Sequence, residues 1–65
     1  MDLVAVWYPA EALISINCRG ERCAGITRAA TSWPKAKKAC REYLQGIGGT
    51  IELSDQLGRW IETIS

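Results

Sequence analysis

The chain contains no histidine and no phenylalanine, and charge of neither sign dominates it. Without histidine, the commonest metal ligand and the side chain that titrates most readily near neutral pH are absent. Eight basic and seven acidic residues give a net charge of +1, which excludes both a wholly acidic mimic of DNA and a histone-like polycation. No apolar run approaches the roughly 20 residues that cross a bilayer, so we expect no membrane partner.

The length sets further limits. The 65 residues suffice for one domain, residues 1–65, and are too few for two. A doubly wound sheet or an α/β barrel needs more chain, whereas 48% hydrophobic residues at near-zero net charge argue against disorder. The first four residues lack the basic region of a secretory signal, so we expect a cytoplasmic protein.

The cysteines are odd in number: Cys18, Cys23 and Cys40. Without a secretory signal, an odd count argues against a disulfide scaffold. Structural zinc sites use four protein ligands, and no histidine is available to complete one. We therefore expect no metal and no cofactor, and we interpret the thiols as small, reduced core residues. A disulfide between Cys18 and Cys23 is the alternative in an oxidising environment.

Two short strands are predicted near the start of the chain. Residues 3–8 form a β-prone run that ends at Pro9. Apolar and polar residues alternate over residues 12–19, which places Ile14 and Ile16 on one face of a half-buried strand.

A tight hairpin should follow. Gly20 suits the first central position of a type II′ turn, which predicts a two-residue loop of Gly20 and Glu21. Residues 23–29 then return antiparallel to the preceding strand. Two pairs of like side chains become opposed across the hairpin, Cys18 with Cys23 and Arg19 with Arg22.

The helix is the clearest element. Thr31 or Ser32 can cap it, Pro34 falls in its first turn, and Gly46 is a candidate C-terminal stop. One apolar stripe follows at spacings of three and four: Ala36, Ala39, Cys40, Tyr43, Leu44 and Ile47. Four basic residues lie off that stripe: Lys35, Lys37, Lys38 and Arg41.

The tail admits two interpretations. Residues 50–54 alternate as a strand, and residues 55–58 fit a three-residue hairpin loop with Gly58 in the left-handed conformation. Residues 59–64 would then form a final strand. In this strand, the Ile61 side chain would face inward and the Trp60 side chain would lie on the outer face. A helix is the alternative, since four apolar residues of the tail also match helical spacing: Leu57, Trp60, Ile61 and Ile64. Gly58 and the β-branched residues favour the hairpin.

These elements predict an α+β domain. One helix should pack on a mostly antiparallel sheet of four to five strands, in the order β-β-β-α-β-β. In the hairpin interpretation, Trp60 would share the outer face of the sheet with Glu52 and Glu62.

Nothing in the sequence predicts an enzyme. A thiol nucleophile needs a neighbouring base, usually histidine, and there is none. The seven acidic residues all suit solvent-facing positions, and so small a domain offers little depth to raise a carboxyl pKa. We therefore expect no catalytic residue.

Charged and aromatic residues supply the candidate partner-binding site. The basic helix face suits a phosphate backbone or an acidic protein surface, and Arg28 extends it if the hairpin lies alongside. An exposed tryptophan rimmed by charges is typical of a protein-binding anchor, unless Trp7 and Trp60 simply cover each other. The candidate residues are Lys35, Lys37, Lys38, Arg41, Trp60, Arg19 and Arg22.

Two segments resemble those of small phage-encoded inhibitors. Residues 31–39, Thr-Ser-Trp-Pro-Lys-Ala-Lys-Lys-Ala, and residues 49–53, Gly-Thr-Ile-Glu-Leu, lie in a pattern of elements spanning residues 14–64. This pattern resembles the shorter anti-CRISPR proteins and phage inhibitors of host RNA polymerase. The resemblance implies a single-domain, non-enzymatic protein that blocks a larger host machine by binding it, and it transfers no functional residue.

Three hypotheses about function follow. The first is a cytoplasmic inhibitor that binds a host protein complex, one that processes nucleic acid. The second is a nucleic-acid-binding module that uses the basic helix face. The third is a homo-oligomeric subunit, with residues 3–8 as an edge strand that pairs between chains.

Overall fold

A computed structural model of the chain describes residues 2–18 and 25–65. They form a five-stranded sheet with one helix on one face. The α+β class and the predicted order of elements are confirmed. The elements are β1 (Asp2–Tyr8), β2 (Leu13–Cys18), β3 (Ile26–Ala29), α1 (Trp33–Leu44), β4 (Thr50–Asp55) and β5 (Ile61–Ile64).

The first strand lies at the centre of the sheet. The spatial order is β3-β2-β1-β4-β5. β1 pairs antiparallel with β2 on one side and parallel with β4 on the other, where Leu3 lies opposite Ile51. The prediction that residues 3–8 form an edge strand is therefore wrong, because α1 carries the chain back across the sheet and β4 covers that edge. Among the described strands, β3 and β5 are the outer ones.

The core lies between α1 and one face of the sheet. Ala36 and Cys40 are fully buried on the helix, and their small side chains let it approach the strands closely. The strands supply the larger apolar side chains, Leu3, Trp7, Ile14, Ile16, Ile51, Leu53 and Ile64, together with the small Ala5. The other face of the sheet carries no helix among the described residues.

The ends of the helix follow from its caps. The Ser32 hydroxyl accepts a hydrogen bond from the Lys35 backbone N–H (3.4 Å), which confirms one of the two predicted N-caps. At the other end, Gly48 takes the left-handed conformation (φ 73°) and its N–H donates to the Leu44 carbonyl (2.7 Å). Gly48 and Gly49, and not Gly46, are thus the glycines with positive φ after the helix. Ile47 lies beyond the helix and is 50% exposed, so its assignment to the apolar stripe is wrong.

The tail is a hairpin, but its register is one residue from the predicted one. The Asp55 N–H donates to the Trp60 carbonyl (3.0 Å), and Ser54 lies opposite Ile61. The loop therefore has four residues, 56–59, where three were predicted. Gly58 does adopt the predicted left-handed conformation, with φ 74°.

One additional loop residue reverses the face of every side chain in β5. Ile61 was predicted to face inward, yet it is 66% exposed, on the face without the helix. Ile64 is buried instead. Trp60 and Glu62 lie on the helix side of the sheet, whereas Glu52 lies on the other side, so their predicted common face is also wrong.

The register between β2 and β3 also differs by one residue from the predicted register. A two-residue loop of Gly20 and Glu21 would place Gly25 opposite Ile16, whereas the structure pairs Ile16 with Ile26. Arg28 therefore lies opposite Ile14, on the helix side of the sheet. Residues 19–24 lie outside the described residues, and so does the predicted pairing of Cys18 with Cys23.

The facing of β5 can be tested with a matched pair of variants. Ile64→Ala should lower the free energy of unfolding by about 2–5 kcal/mol, since it opens a cavity in the core. Ile61→Ala should change it by no more than about 0.5 kcal/mol, because that side chain is in solvent. Urea unfolding followed by tryptophan fluorescence measures both. If Ile61→Ala lowered the free energy of unfolding more than Ile64→Ala does, the register would be that of the predicted three-residue loop.

Candidate partner-binding site

The three tryptophans form one cluster at the end of the sheet where α1 begins. Trp7 stacks on Trp60, with ring centroids 6.1 Å apart and 10° between the ring planes. Trp33 meets both rings edge to face, at 5.9 Å from Trp7 and 5.3 Å from Trp60. The alternative in which Trp7 and Trp60 cover each other is therefore correct in part, because Trp60 still exposes 52% of its surface.

Trp7 fixes this cluster to the backbone. Its indole N–H donates to the Ala30 carbonyl (2.9 Å), at the junction of β3 and α1. Its own carbonyl accepts from the Gln56 N–H (2.9 Å), at the start of the β4–β5 loop. One buried residue of the central strand thus connects to both segments that position the other two tryptophans.

Asp55 orders the β4–β5 loop. This buried carboxylate accepts hydrogen bonds from the backbone N–H groups of Arg59 (2.6 Å) and Trp60 (3.3 Å), and Arg59 Nε lies 3.6 Å from its second oxygen. Burial disfavours the charged form. The two N–H groups and the Arg59 guanidinium outweigh that effect and hold the pKa of Asp55 below its usual 3.8.

Three large apolar side chains are exposed around this loop: Leu57 (71%), Trp60 (52%) and Ile61 (66%). We call these three residues the hairpin tip. Trp60 projects from the helix side of the sheet and Ile61 from the opposite side, so the tip is apolar on both faces. The only other large hydrophobic residue exposed in the described ranges is Ile47, after the far end of the helix.

The four predicted basic residues of α1 are distributed over both flanks of the helix. Lys37 is paired with Glu62 of β5, with Nζ and Oε2 3.2 Å apart. Arg41 lies on the same flank, beside the Gly48–Gly49 turn. Lys35 and Lys38 lie on the opposite flank, towards β3. The remaining candidates, Arg19 and Arg22, lie outside the described residues.

The opposite flank of the helix forms a groove with β3, which we call the helix–β3 groove. Its volume is about 280 Å³. Arg28, Lys35 and Lys38 contribute three positive charges to its lining, and Glu42 contributes one negative charge. The groove is therefore cationic. Its lining residues are Arg28, Ala29, Lys35, Lys38, Ala39 and Glu42.

The remaining reactive groups among the described residues offer no second site. Cys40 is fully buried, and burial raises the pKa of its thiol to about 11, although Arg41 opposes the effect. Within residues 2–18 and 25–65, no three histidine, cysteine or acidic side chains lie together as metal ligands would. In the same ranges, the chain has no helix with the length and apolar character required to span a bilayer.

The sequence signal for the hairpin tip was an aspartate three residues before a glycine. Asp55 and Gly58 indicate a turn whose carboxylate caps its own backbone, and we predicted the turn from these residues. The predicted loop is one residue too short, and for that reason Ile61 was expected to face inward and not into solvent.

The role of Asp55 predicts an acid dependence of stability. Its pKa in the folded chain lies below the usual 3.8. The carboxylate therefore contributes stability above about pH 4, and this contribution is lost as the pH falls through the folded-state pKa. Asp55→Asn should unfold more easily at neutral pH than the wild type and should lose less stability between about pH 5 and about pH 2.

Urea midpoints across that pH range provide the measurement. Glu11→Gln is the control, since it removes an exposed carboxyl from the β1–β2 turn. It should leave the pH dependence as in the wild type. Equal acid sensitivity of Asp55→Asn and the wild type would show that this carboxylate does not order the loop.

The hairpin tip and the helix–β3 groove are the two candidate binding surfaces of the described residues. This chain matches no protein-family model, no curated protein and no solved structure.

Proposed function

We propose that this chain is a small, non-enzymatic protein-binding module that inhibits a larger host complex by docking its hairpin tip into that complex. The observation that carries the proposal is the exposure of Leu57, Trp60 and Ile61 within five consecutive residues. Exposed apolar side chains that cluster in this way are typical of protein interaction sites. Tryptophan is among the residues most enriched at the energetic centres of interfaces.

The tip is held rigid before it binds. Trp60 is stacked on Trp7 and its backbone N–H is bound by Asp55. A partner therefore gains contact with the exposed half of the indole and orders little of the chain in return. Such preorganisation raises affinity, because the entropy of ordering an interface opposes binding.

The shape of the tip indicates the shape of its partner. Since Trp60 and Ile61 project from opposite faces of the sheet, a flat surface cannot cover both. A cleft that encloses the end of the hairpin can. Arg59 and Glu62 flank the apolar residues, which gives the tip the polar rim that is common in protein interfaces.

Inhibition follows from the size of the module and from its resemblance to phage inhibitors. The described residues span 27 × 21 × 18 Å, and a body of that size in a cleft excludes other macromolecules from it. A host complex that processes nucleic acid offers such clefts along the path of the nucleic acid. Binding alone would therefore block the complex, with no chemistry at the interface.

Direct binding of nucleic acid has weaker support. Lys37 is already paired with Glu62, and Arg41 lies on the opposite flank of the helix from the groove. A row of phosphates along the helix would thus meet a divided set of charges. Oligomerisation through residues 3–8 is not proposed, because both edges of β1 are paired within the chain.

Charge placed on the tip should abolish binding. Leu57→Asp and Ile61→Asp should each reduce recovery of the partner with the tagged chain at least about tenfold, since loss of a central apolar contact typically removes more than 1 kcal/mol. Both residues are exposed, so the melting temperature should be nearly unchanged. Trp60→Ala is less suitable, because it also removes the stack on Trp7.

Ile47→Asp is the matched control. Ile47 is similarly exposed but lies beyond the far end of a 12-residue helix, about 18 Å along its axis. It should retain the partner, and nuclease treatment should not release it. Equal recovery with Leu57→Asp and Ile47→Asp would contradict the proposal. Release by nuclease would favour the nucleic-acid module, and recovery of the chain alone as a multimer would favour a homo-oligomer.

A further inference from the structure

A second surface of the molecule has the properties of a peptide-binding site. β3 is the last described strand on its side of the sheet, and the helix–β3 groove runs beside it. A strand edge that no other described strand covers, next to a charged groove, can accept an additional strand, whose side chains the groove then selects.

The direction of the backbone hydrogen bonds shows which groups of β3 point to its outer edge. The Ala30 N–H donates to the Ala12 carbonyl (2.9 Å), in register with the β2–β3 pairing. Backbone groups of an antiparallel strand point alternately to its two sides. Ile26 and Arg28 therefore direct their N–H and C=O groups towards β2. Thr27 and Ala29 direct theirs away from it, to the outer edge, where the Thr27 carbonyl accepts a hydrogen bond from Arg28 Nη1 (3.3 Å).

Charge distinguishes this edge from the one at β5. Beside β5, Glu62 and Lys37 neutralise each other. Beside β3, the one-residue shift in register directs the Arg28 side chain to the helix side, where it lines the groove with Lys35 and Lys38. Three positive charges face one negative charge there, so the groove favours an acidic occupant.

We infer that the β3 edge binds an extended acidic segment of the partner protein, which pairs with Thr27 and Ala29 and places acidic side chains in the helix–β3 groove. This inference rests on the proposed function in that it takes the partner to be a protein. Because side chains alternate across a strand, only every second residue of the segment faces the groove. The expected pattern is therefore acidic residues two positions apart.

A peptide fits this edge better than a nucleic acid does. The edge presents both N–H donors and C=O acceptors, and a peptide backbone satisfies both kinds. Phosphate oxygens are acceptors only, so they would satisfy the N–H groups but not the Ala29 carbonyl. Glu42 in the lining also opposes a continuous row of phosphates.

The test uses a capped hexapeptide, Val-Glu-Thr-Glu-Val-Thr, titrated into the ¹⁵N-labelled full chain. Resonance shifts should concentrate in β3, and the amides of Thr27 and Ala29 should become protected from hydrogen exchange. The double variant Lys35→Glu with Lys38→Glu should weaken binding at least tenfold. Arg41→Glu changes the same charge on the other flank of the helix and should bind as the wild type does.

A second pair of variants tests the backbone contact. Thr27→Pro removes an N–H that points away from β2, so the existing sheet keeps its hydrogen bonds and the outer edge loses a donor. It should abolish peptide binding, whereas Thr27→Ala should retain it. Leu57→Asp should bind the peptide normally, which separates a failure at this edge from a failure at the hairpin tip.

Three results would overturn the inference. The first is no binding of the peptide at about 1 mM, the weak limit of a measurable site. The second is equal binding by Thr27→Pro and Thr27→Ala, both confirmed as folded. The third is tighter binding of a twelve-nucleotide oligo(dT) than of the peptide, lost in the Lys35 and Lys38 double variant, which would assign the groove to nucleic acid instead.

Discussion

The contacts of Trp7 hold this small domain together. Its ring packs between Trp33 at the start of the helix and Trp60 at the end of the β4–β5 loop, and its indole N–H reaches the Ala30 carbonyl. A domain of this length has little apolar core, so one large aromatic residue that contacts several elements contributes a disproportionate share of the packing. The same contacts prepare Trp60 for a partner. Stability and the proposed binding function therefore depend on one residue.

Local sequence patterns predicted the helix and the strands because each pattern reflects an interaction between residues that are close in the sequence. The Ser32 cap, Pro34 in the first turn and the apolar stripe specify the helix. Alternation specifies the buried isoleucines of β2, and Gly58 specifies the left-handed position in the last turn. The place of β1 at the centre of the sheet has no such local cause, since it is decided by the long-range pairing with β4.

Register was the level at which sequence reasoning failed, and this failure bears directly on function. Loop length decides register, and a difference of one residue between loop types is not visible in the turn residues themselves. In the last hairpin that residue moves Ile61 from the core to the surface and so creates the hairpin tip. In the β2–β3 hairpin the corresponding shift directs Arg28 into the groove. Both candidate surfaces thus result from register, whereas the fold class does not depend on it.

The central position of β1 also has a consequence for synthesis of the chain. β1 leaves the ribosome before the other described strands, yet its partner β4 begins about 50 residues later, at Thr50. Until that segment emerges, one side of this mostly apolar strand lacks its partner. Such unpaired apolar edges are the sites at which nascent chains associate with one another. Premature termination between the helix and β4 would therefore yield an aggregating fragment and not a smaller folded domain.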